Sequence, residues 1–573
     1  MPEALQALRA EIQIDGSPLG QDVEPLVEQV IVDNDVRFPD AFLIVFNDRD
    51  HDVLDQARIS IGSKVEIRGT SLRSQQTELL IAGEVTSLGA DYESGESRIL
   101  VRGYDPAHRL QRGTRTQTYL GQKDSDIAQA VAGQAGLDVG TIDDSGEVHP
   151  WVAQLNQSDW EFLAGRAREI GFELTVIDGK LNFRKPTSAS DAPSSGEYGS
   201  TNPYQLVYGE DLLQFRPRLT ASEQVGSIKV YGWNRSTKEE LTGSADAATT
   251  SAAVPSTPAD MAADFDTATY YGAGHPYDTQ AAVDARAQVL ADRIGSAFAE
   301  ADGIARGEPM LRAGTAVNVA AVSTPFAGQY TLSRTRHVFD QDGYGTEFHV
   351  SGRSDRSLLG LTRGALGAPD AERLARIPGL VPAIVTDNND PDAQGRVLVR
   401  FPWLGPKADT PAVSTWAPVV QFGAGNGRGA MFIPEVDDEV LVGFDHGNVD
   451  HPYVLGGLYN GVDQPPLQDD LIDTSVGKVN QRGFVSRLGH QIVFLDSDAK
   501  SGITLKTAQG KISLELSEAN GELHITVDGK VLIESTGDLQ LTAQGSLQLS
   551  GSAGVKIESS ATVEVSGSMI KLN

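Results

Sequence analysis

The chain contains no cysteine, so it forms neither disulfides nor thiolate metal sites and offers no cysteine nucleophile. It also lacks any apolar run of about 18 residues, the length that a membrane-spanning helix needs. The first residues have neither the basic region nor the apolar region of a secretory signal peptide. We therefore expect synthesis in the cytoplasm without a signal peptide, and delivery by a route other than general secretion.

Basic residues are scarce relative to acidic ones. The 573 residues include 47 Lys and Arg against 78 Asp and Glu, a formal net charge of −31. Such a chain is a poor partner for nucleic acid and is repelled by an anionic membrane surface. A hydrophobic content of 40% is ordinary for globular proteins, and the length leaves room for roughly three to five domains.

Two short segments imitate ligand-binding loops. Residues 390–395 read like the start of a calcium loop, but the twelfth position is Phe401 rather than the bidentate Glu that calcium needs. Residues 423–429 have the glycine density of a phosphate loop but lack its Lys-Ser/Thr pair and open no predicted helix. We expect a turn at the first segment and a flexible loop at the second.

Histidines and carboxylates do not assemble into a recognisable active site in the sequence. His446 and His451, with Asp445 and Asp450 beside them, are the best candidates for a metal cluster, but no third ligand is evident. Acidic pairs are too common in this chain for counting to exclude a two-carboxylate glycosidase. The prediction is nevertheless no catalytic residue, no cofactor and no metal, because only some 40 residues, about 461–501, separate the domain before the repeat from the repeat itself.

An eight-residue repeat occupies the C-terminal part of the chain. Each octad holds two apolar residues at alternate positions, as in a short strand, and then a small residue suited to a corner. The small residues are Gly529, Gly537, Gly545, Ala553 and Ala561. The predicted inward residues are Leu523, Ile525, Val531, Ile533, Leu539, Leu541, Leu547, Leu549, Val555, Ile557, Val563, Val565, Ile570 and Leu572.

Two apolar residues in eight cannot close a hydrophobic interior around one chain. Three chains wound together would supply six per layer and would cover each other's strand edges. The alternative is a single-chain solenoid, although those usually need about 20 residues per coil. In the trimer each octad advances by roughly 14 Å, which makes a rod on the order of 100 Å long.

The remaining sequence is divided by its patterning into further predicted domains. They are a first hub β-barrel at 1–120, an α/β insertion at 121–185, a second hub β-barrel at 186–355 with a long loop at 236–264, a linker at 356–376, an OB-fold at 377–460, a neck at 461–500 and the needle at 501–573. Within them we predict helices at 124–132, 158–170 and 281–301, and a hairpin that turns at Asp178-Gly179.

Several motifs resemble one family. The strings VRGYDPAHRL at 101–110, QSDWEFL at 157–163 and GEPMLRAG at 307–314 are similar to hub proteins of contractile phage tails, the late-control D group. The strings DAQGRVLVRFPW at 392–403, FIPEVDDEVLV at 432–442 and PYVLGGLYN at 452–460 resemble the OB-fold of VgrG-type spikes. SRLGHQIVFLDSD at 486–498 resembles the neck before the spike β-helix. The chain is thus similar to VgrG-type hub and spike proteins over nearly its whole length.

Some strings depart from the type VI secretion version of this family. That version tends to have Arg-Ile-Gly-Gln-Glu-Val where this chain has EVDDEV at 435–440. It also usually has a charged Trp-Asp-Arg string where this chain has WLG at 403–405. These forms look more like spikes of extracellular, phage-tail-like contractile injection systems. A type VI VgrG or a phage tail spike is the alternative.

The resemblance implies a mainly β fold with a small α/β part: β-barrel hub domains, an OB-fold collar and an intertwined, triple-stranded β-helix. It implies a homotrimeric, membrane-puncturing spike that joins a sixfold tube to a threefold needle. Expected partners are inner tube and baseplate proteins, effector cargo, the target-cell membrane and a PAAR-like conical tip protein. The residues expected to contact that tip are Met569, Ile570, Lys571, Leu572 and Asn573. A tail-associated hydrolase and a receptor-binding fibre are the other functional hypotheses.

Overall fold

The computed structural model describes residues 10–194, 196–234, 237–265, 268–272, 277–353, 377, 379–404, 414–447, 451–497 and 499–571. Contacts divide the chain into two compact units, Met1–Asp463 and Gln464–Asn573. The predicted linker at 356–376 lies outside the described residues, as do Leu572 and Asn573. The prediction of a mainly β protein with a small α/β part is confirmed.

The helices of the described chain all lie in the first unit. They are α1 (Val53–Ala57), α2 (Asp124–Ala135), α3 (Asp159–Ile170), α4 (Pro258–Ala263) and α5 (Gln280–Gly295). None of these helices is long and apolar enough to cross a membrane.

The first half of the first unit carries twelve strands in the described residues. They are β1 (Glu11–Ile14), β2 (Ser17–Pro18), β3 (Val27–Asp35), β4 (Phe38–Asn47), β5 (Lys64–Thr70), β6 (Thr77–Glu93), β7 (Glu96–Tyr104), β8 (Arg115–Gln122), β9 (Asp138–Ile142), β10 (His149–Gln157), β11 (Glu173–Ile177) and β12 (Lys180–Arg184).

The second half continues the series. Its strands are β13 (Gln205–Val207), β14 (Leu212–Leu219), β15 (Ser227–Asn234), β16 (Glu239–Asp246), β17 (Ala252–Ala253), β18 (Thr269–Gly272), β19 (Ala299–Arg306), β20 (Ala316–Ala320), β21 (Gly328–Thr331), β22 (Arg334–Asp340), β23 (Gly343–Val350), β24 (Val381–Asp387), β25 (Leu398–Arg400), β26 (Ala424–Gly425), β27 (Arg428–Gly429), β28 (Glu439–Phe444) and β29 (Pro452–Gly457).

One eleven-stranded antiparallel sheet joins both halves of the hub, in the order β14-β19-β23-β22-β3-β4-β7-β6-β5-β1-β2. The connection is made by β22 and β3, which pair from Arg334↔Asp35 to Phe339↔Val30. Alternate side chains of β3 and β4, among them Val32, Ile44 and Phe46, are buried in the first core, as half-buried strands require. The sequence alone predicts two separate barrels here, and this shared sheet is a long-range pairing that local patterning does not reveal.

The α/β insertion contains the elements predicted for it. Helix α3 starts at the N-cap Ser158, whose hydroxyl accepts a hydrogen bond from the Glu161 amide at 3.2 Å, and it ends at Gly171 in the left-handed region with φ 73°. This is the expected pairing of a capping box with a C-terminal glycine. Strands β11 and β12 turn at Asp178-Gly179, both with positive φ.

Two predictions built on small residues are wrong. Helix α5 ends at Gly295 rather than at 301, and after a short 3-10 turn β19 begins at Ala299. Ala299, Ala301 and Ala305 are buried at alternate positions of that strand, a period-two pattern that alanine's helix propensity concealed. The predicted long loop at 236–264 instead contains β16, β17 and α4; Ser236 itself is not among the described residues.

The close packing of β16 explains its small residues. A Cβ on Gly243 would lie 2.3 Å from the carbonyl oxygen of Val283 in α5, so the strand reaches the helix only because that position has no side chain. Composition there indicates close approach to a neighbour rather than a mobile loop.

The OB segment forms a four-stranded antiparallel sheet in the order β25-β24-β28-β29. Its core contains Val385, Val399, Val440, Val442 and Val454, each 0% exposed. Residues of 418–420 run beside β29, where the Val420 amide donates to the Val454 carbonyl at 2.8 Å.

The second unit is a meander followed by the octads. Its strands are β30 (Ile472–Asp473), β31 (Lys478–Val479), β32 (Gln481–Val485), β33 (Gln491–Leu495), β34 (Gly502–Lys506), β35 (Ile512–Ser517) and β36 (Glu522–Val527). Strands β32 to β36 form one antiparallel sheet in chain order.

Candidate assembly surface

The five-stranded meander of the second unit has one apolar face. Its register places Phe484 opposite Ile492, Ile492 opposite Leu505, and Leu505 opposite Leu514. Directly opposed residues of an antiparallel pair lie on the same side of a sheet. The apolar side chains on this side, here called the meander face, are Phe484, Ile492, Phe494, Ile503, Leu505, Ile512, Leu514, Leu516, Leu523, Ile525 and Val527. Arg482, opposite Phe494, lies on the same side at the edge strand β32.

The meander face is not covered by the rest of the described chain. Phe494 is 43% exposed, Leu516 41% and Ile525 61%. From β34 onward the opposite side carries polar residues such as Thr504, Glu515 and His524. The sheet thus has the polarity expected of a structure with one side in water and the other against a partner.

The octads leave their apolar side chains exposed as well. The predicted inward residues from Leu523 to Ile570 are 52–72% exposed, and Leu572 is not among the described residues. Among the described residues after Val527 no strand pairing occurs. Backbone bends recur at 528–529, 536–537, 544–545, 552–553 and 560–561, an interval of eight that falls on the predicted small residues.

A single copy of this unit therefore has almost no hydrophobic core. Val493 is its one buried apolar side chain in the described residues, whereas the five core clusters of those residues all lie in the first unit. Exposed apolar area on this scale marks an interaction surface, and unpaired strand edges invite pairing with another chain.

Sequence reasoning missed the part of this surface that precedes Leu523. The apolar pairs Ile492/Phe494, Ile503/Leu505 and Leu514/Leu516 recur every eleven residues rather than every eight, so a search for octads passes over them. Strand alternation in 481–527 is the signal that would have found them.

The last octad is followed by the residues predicted to contact a tip protein. Met569 is 74% exposed and Ile570 52% exposed, and Lys571 is exposed too. Leu572 and Asn573 lie outside the described residues.

The segment that imitates a calcium loop is a turn held by its own arginine. The Arg396 guanidinium binds Asp390 at 2.6 Å and Asp392 at 2.6 Å, and the amides of Asp392, Gln394 and Arg396 donate to the Asp390 carboxylate. These donors hold the pKa of Asp390 well below its ordinary value, with the Arg396 hydrogen bond contributing most among the effects that lower it. A carboxylate occupied in this way is a turn anchor.

The other two candidate segments are the glycine-rich residues 423–429 and the histidine cluster at 445–451. Residues 423–429, where the sequence predicts a flexible loop, form the short hairpin β26–β27 about an Asn426-Gly427 turn. Gly427 has a φ of 67°, a backbone conformation that glycine adopts without strain. The His446 side chain and Asp450 are not described by the structure, and no group of three metal-binding side chains occurs among the residues that are described.

Two family matches agree with this architecture. Residues 5–341 match the family described as the Alg8 N-terminal domain, and residues 381–459 match the type VI secretion system/phage-baseplate injector OB domain. Because the first match covers more than half of the 573 residues, the chain belongs to the Alg8 N-terminal domain family. The predicted OB-fold is confirmed by the second match.

Individual relatives come from contractile machines. The chain is 31% identical over 144 residues to the type VI secretion system spike protein VgrG3 of Vibrio cholerae, a match that covers 24% of this chain and 14% of that protein. It is 32% identical over 127 residues to the spike protein VgrG2a of Pseudomonas aeruginosa, covering 22% of this chain and 15% of the relative. The chain thus spans about a seventh of the length of these relatives. The predicted resemblance to VgrG-type spikes is confirmed.

Two solved structures align with parts of this chain. A 43 kDa prophage tail protein from Shewanella oneidensis aligns with 60% of this chain and 98% of its own, at 14% identity and a TM-score of 0.46. An E. coli type VI secretion component, described as similar to the bacteriophage T4 tail proteins gp27 and gp5, aligns with 78% of this chain and 99% of its own, at 15% identity and a TM-score of 0.40.

Proposed function

We propose that this chain is the central hub and membrane-puncturing spike of a contractile injection machine, and that it acts as a homotrimer. The observation that carries the proposal is the second unit, whose meander face and octads expose their apolar residues while a single buried one, Val493, remains in its described part. The kinship with VgrG-type spikes supports the same assignment.

Three copies together would bury the apolar side chains that one copy leaves exposed. Each octad offers two apolar side chains, so three chains supply six per layer around a common axis. The backbone after Val527, which pairs with no described strand of its own chain, would then form ladders with the two neighbours. The bends at intervals of eight residues would place corresponding corners of the three chains at the same height.

The proposed mechanism is mechanical rather than catalytic. Contraction drives the particle forward, and the rod concentrates the force on a small area of the target membrane. Interwound chains suit this load, because freeing one requires breaking ladder bonds to both neighbours together. Resistance to load then depends on the barrier to unfolding more than on the equilibrium free energy.

The hub would contact inner tube and baseplate proteins, and the rod end near Met569 and Ile570 would contact a conical tip protein and effector cargo. The net charge of −31 per chain disfavours nucleic acid as a partner and keeps an elongated particle soluble. We place the particle among extracellular, phage-tail-like systems, with a type VI spike as the alternative. One curated relative is named an actin cross-linking toxin, but the match covers 13% of this chain and 7% of that protein.

The mass of the full chain in solution tests this proposal. Light scattering should give a species of three 61.0 kDa chains, and that species should persist in detergent until it is heated, because interwound strands separate slowly. A monomer at micromolar concentration would contradict the spike assignment and would favour a self-closed solenoid.

A further inference from the structure

A second exposed apolar surface lies in the OB segment, far along the sequence from the octads. The hairpin β26–β27 and its flanks, residues 420–433, form what we call the OB arm. In it Val420 is 52% exposed, Phe422 88%, Met431 71% and Phe432 53%. Large apolar side chains in such a cluster mark a contact site rather than an ordinary surface.

Hydrogen bonds join the two sides of the OB arm. The Gln421 side chain donates to the Phe432 carbonyl at 3.0 Å and accepts from the Phe432 amide at 2.9 Å. The Ala430 amide donates to the Gly423 carbonyl at 2.9 Å. A Cβ on Gly429 would lie 2.2 Å from that same carbonyl oxygen, so only glycine fits there. A surface fixed in advance loses little entropy on binding.

The same OB sheet carries a complementary patch, which we call the outer OB face. Leu380 is 56% exposed, Tyr453 42% and Leu455 42%. Leu380 packs against Gly443, where an added Cβ would lie 3.0 Å from Leu380 and 3.8 Å from Leu455. Tyr453 is the cross-strand partner of Gly443. Leu380, Tyr453 and Leu455 therefore form one exposed apolar patch on this side of the sheet. The exposure of Phe422 and Met431 means that these two residues of the OB arm do not cover this patch in their own chain.

We propose that the OB arm of one chain docks on the outer OB face of the next copy, so that three copies form a head-to-tail ring. Two different patches on one domain make a heterologous contact, which closes into a ring when the rotation between copies is a third of a turn. This inference rests on the proposed trimer, which supplies that rotation.

The chain itself favours a second copy as the occupant. Only residues 458–480 separate β29 from the meander, so copies joined through the meander face hold their OB segments on short tethers. Tethering of this kind raises the effective concentration of one domain around another to roughly millimolar. A weak apolar contact that would fail between free domains is therefore formed in the trimer.

Site-specific cross-linking tests the contact directly, because the chain has no cysteine of its own. Two full-length chains with different tags, one Phe422→Cys and the other Leu455→Cys, are co-expressed and treated with a short bismaleimide. The expected product is a covalent pair that contains both tags. As the control, Phe422→Cys is combined with Leu120→Cys, a residue 67% exposed on hub strand β8, and no mixed pair should form.

The outcomes separate this inference from the spike proposal when the mass of each sample is measured too. A trimer without the mixed product would overturn the docking contact and leave the spike proposal intact. A product from Phe422→Cys alone would show the three arms meeting on the axis, which also overturns the head-to-tail ring. A monomer would remove the trimer on which the contact depends. Finally, Phe422→Ser should lower the temperature at which the trimer dissociates, and an unchanged temperature would count against docking.

Discussion

Two carboxyl groups meet where the first hub sheet turns into the α/β insertion. Asp105 follows β7, and its amide donates to the Asp40 carbonyl at 2.9 Å. The Asp40 carboxylate accepts from the Asn34 side chain at 2.8 Å and from the Asp35 amide at 3.2 Å. Burial raises the pKa of Asp40 to about 7, although the hydrogen bonds from Asn34 and Asp35 and the charge of Arg312 oppose the shift. Burial and the nearby charge of Asp40 also raise the pKa of Asp105 well above its ordinary value. A carboxyl of this pair therefore holds a proton near neutral pH.

This proton makes hub stability depend on pH. In the unfolded chain an aspartate releases its proton near its ordinary pKa of about 4, whereas folded Asp40 keeps it up to about 7. The folded state binds more protons between these values, so the free energy of unfolding falls as pH rises through that window. Asp40→Asn should remove much of this slope and raise stability at pH 8 relative to the parent, on the order of 2–4 kcal/mol.

Urea unfolding of the full chain at pH 5 and pH 8 measures this effect. Asp50→Asn, a change at an exposed aspartate of the same unit, controls for the loss of one negative charge. Equal pH slopes for the parent and Asp40→Asn would mean that Asp40 does not carry the proton.

At the scale of elements, hydrogen bonds and an ion pair connect the hairpin β15–β16 of the hub to the OB sheet; we call this contact the clasp. The Trp233 indole donates to the Glu439 carboxylate at 3.1 Å, and Glu439 is 1% exposed. Asn460 donates to the other oxygen of Glu439 at 2.8 Å. Arg400 of β25 pairs with Glu240 of β16. These polar contacts connect two sheets that the sequence separates by more than a hundred residues.

Trp233→Phe should weaken the clasp because a buried carboxylate loses one of its donors, at a cost of about 1–3 kcal/mol. Trp403→Phe is the matched control. Trp403 is 7% exposed against 6% for Trp233, and within the described chain its indole N–H has no acceptor. Calorimetry of both full-length variants should therefore show a larger fall in melting temperature for Trp233→Phe. Equal falls would assign the effect to lost ring volume rather than to the hydrogen bond.

The elements that sequence patterning predicts well are those with strong local signals. Ser158 and Gly171 mark the ends of α3, and Asp178-Gly179 marks a hairpin, because caps and tight turns depend on neighbouring residues alone. Segments of small residues gave wrong predictions at 236–264 and 296–301, since alanine and glycine show no clear hydrophobic period. A small residue such as Gly243 is needed there because the backbone of Val283 lies close to it. That contact is known only once the fold is known.

Of the assembly surface, the octads are visible in the sequence because their spacing is regular. The meander face before Leu523 is not, since its strands are longer and its pairs recur at a different interval. The hydrogen bond from Trp233 to Glu439 and the packing of Leu380 on Gly443 are long-range features that no local pattern encodes. Resemblance to a family predicted the order of the domains, but not these contacts between them.

On the scale of the whole molecule, the two units differ in what makes them stable. The first unit contains five hydrophobic cores in its described residues and should fold in a single chain. In the proposed trimer, the second unit buries its apolar side chains against the neighbouring copies. A change in the octads should therefore abolish assembly while the first unit stays folded.

Ile533→Asp should prevent assembly of the second unit and leave the first unit folded. In the proposed trimer it brings three carboxylates into one apolar layer, where burying charge without a partner is prohibitive. We expect light scattering to give a monomer, and calorimetry to retain the transition of the first unit and lose that of the rod. Leu532→Asp is the matched control, because Leu532 is 63% exposed and alternation points it away from the proposed axis. That variant should remain trimeric. If Leu532→Asp blocked assembly and Ile533→Asp did not, the face of each octad assigned to the axis would be reversed.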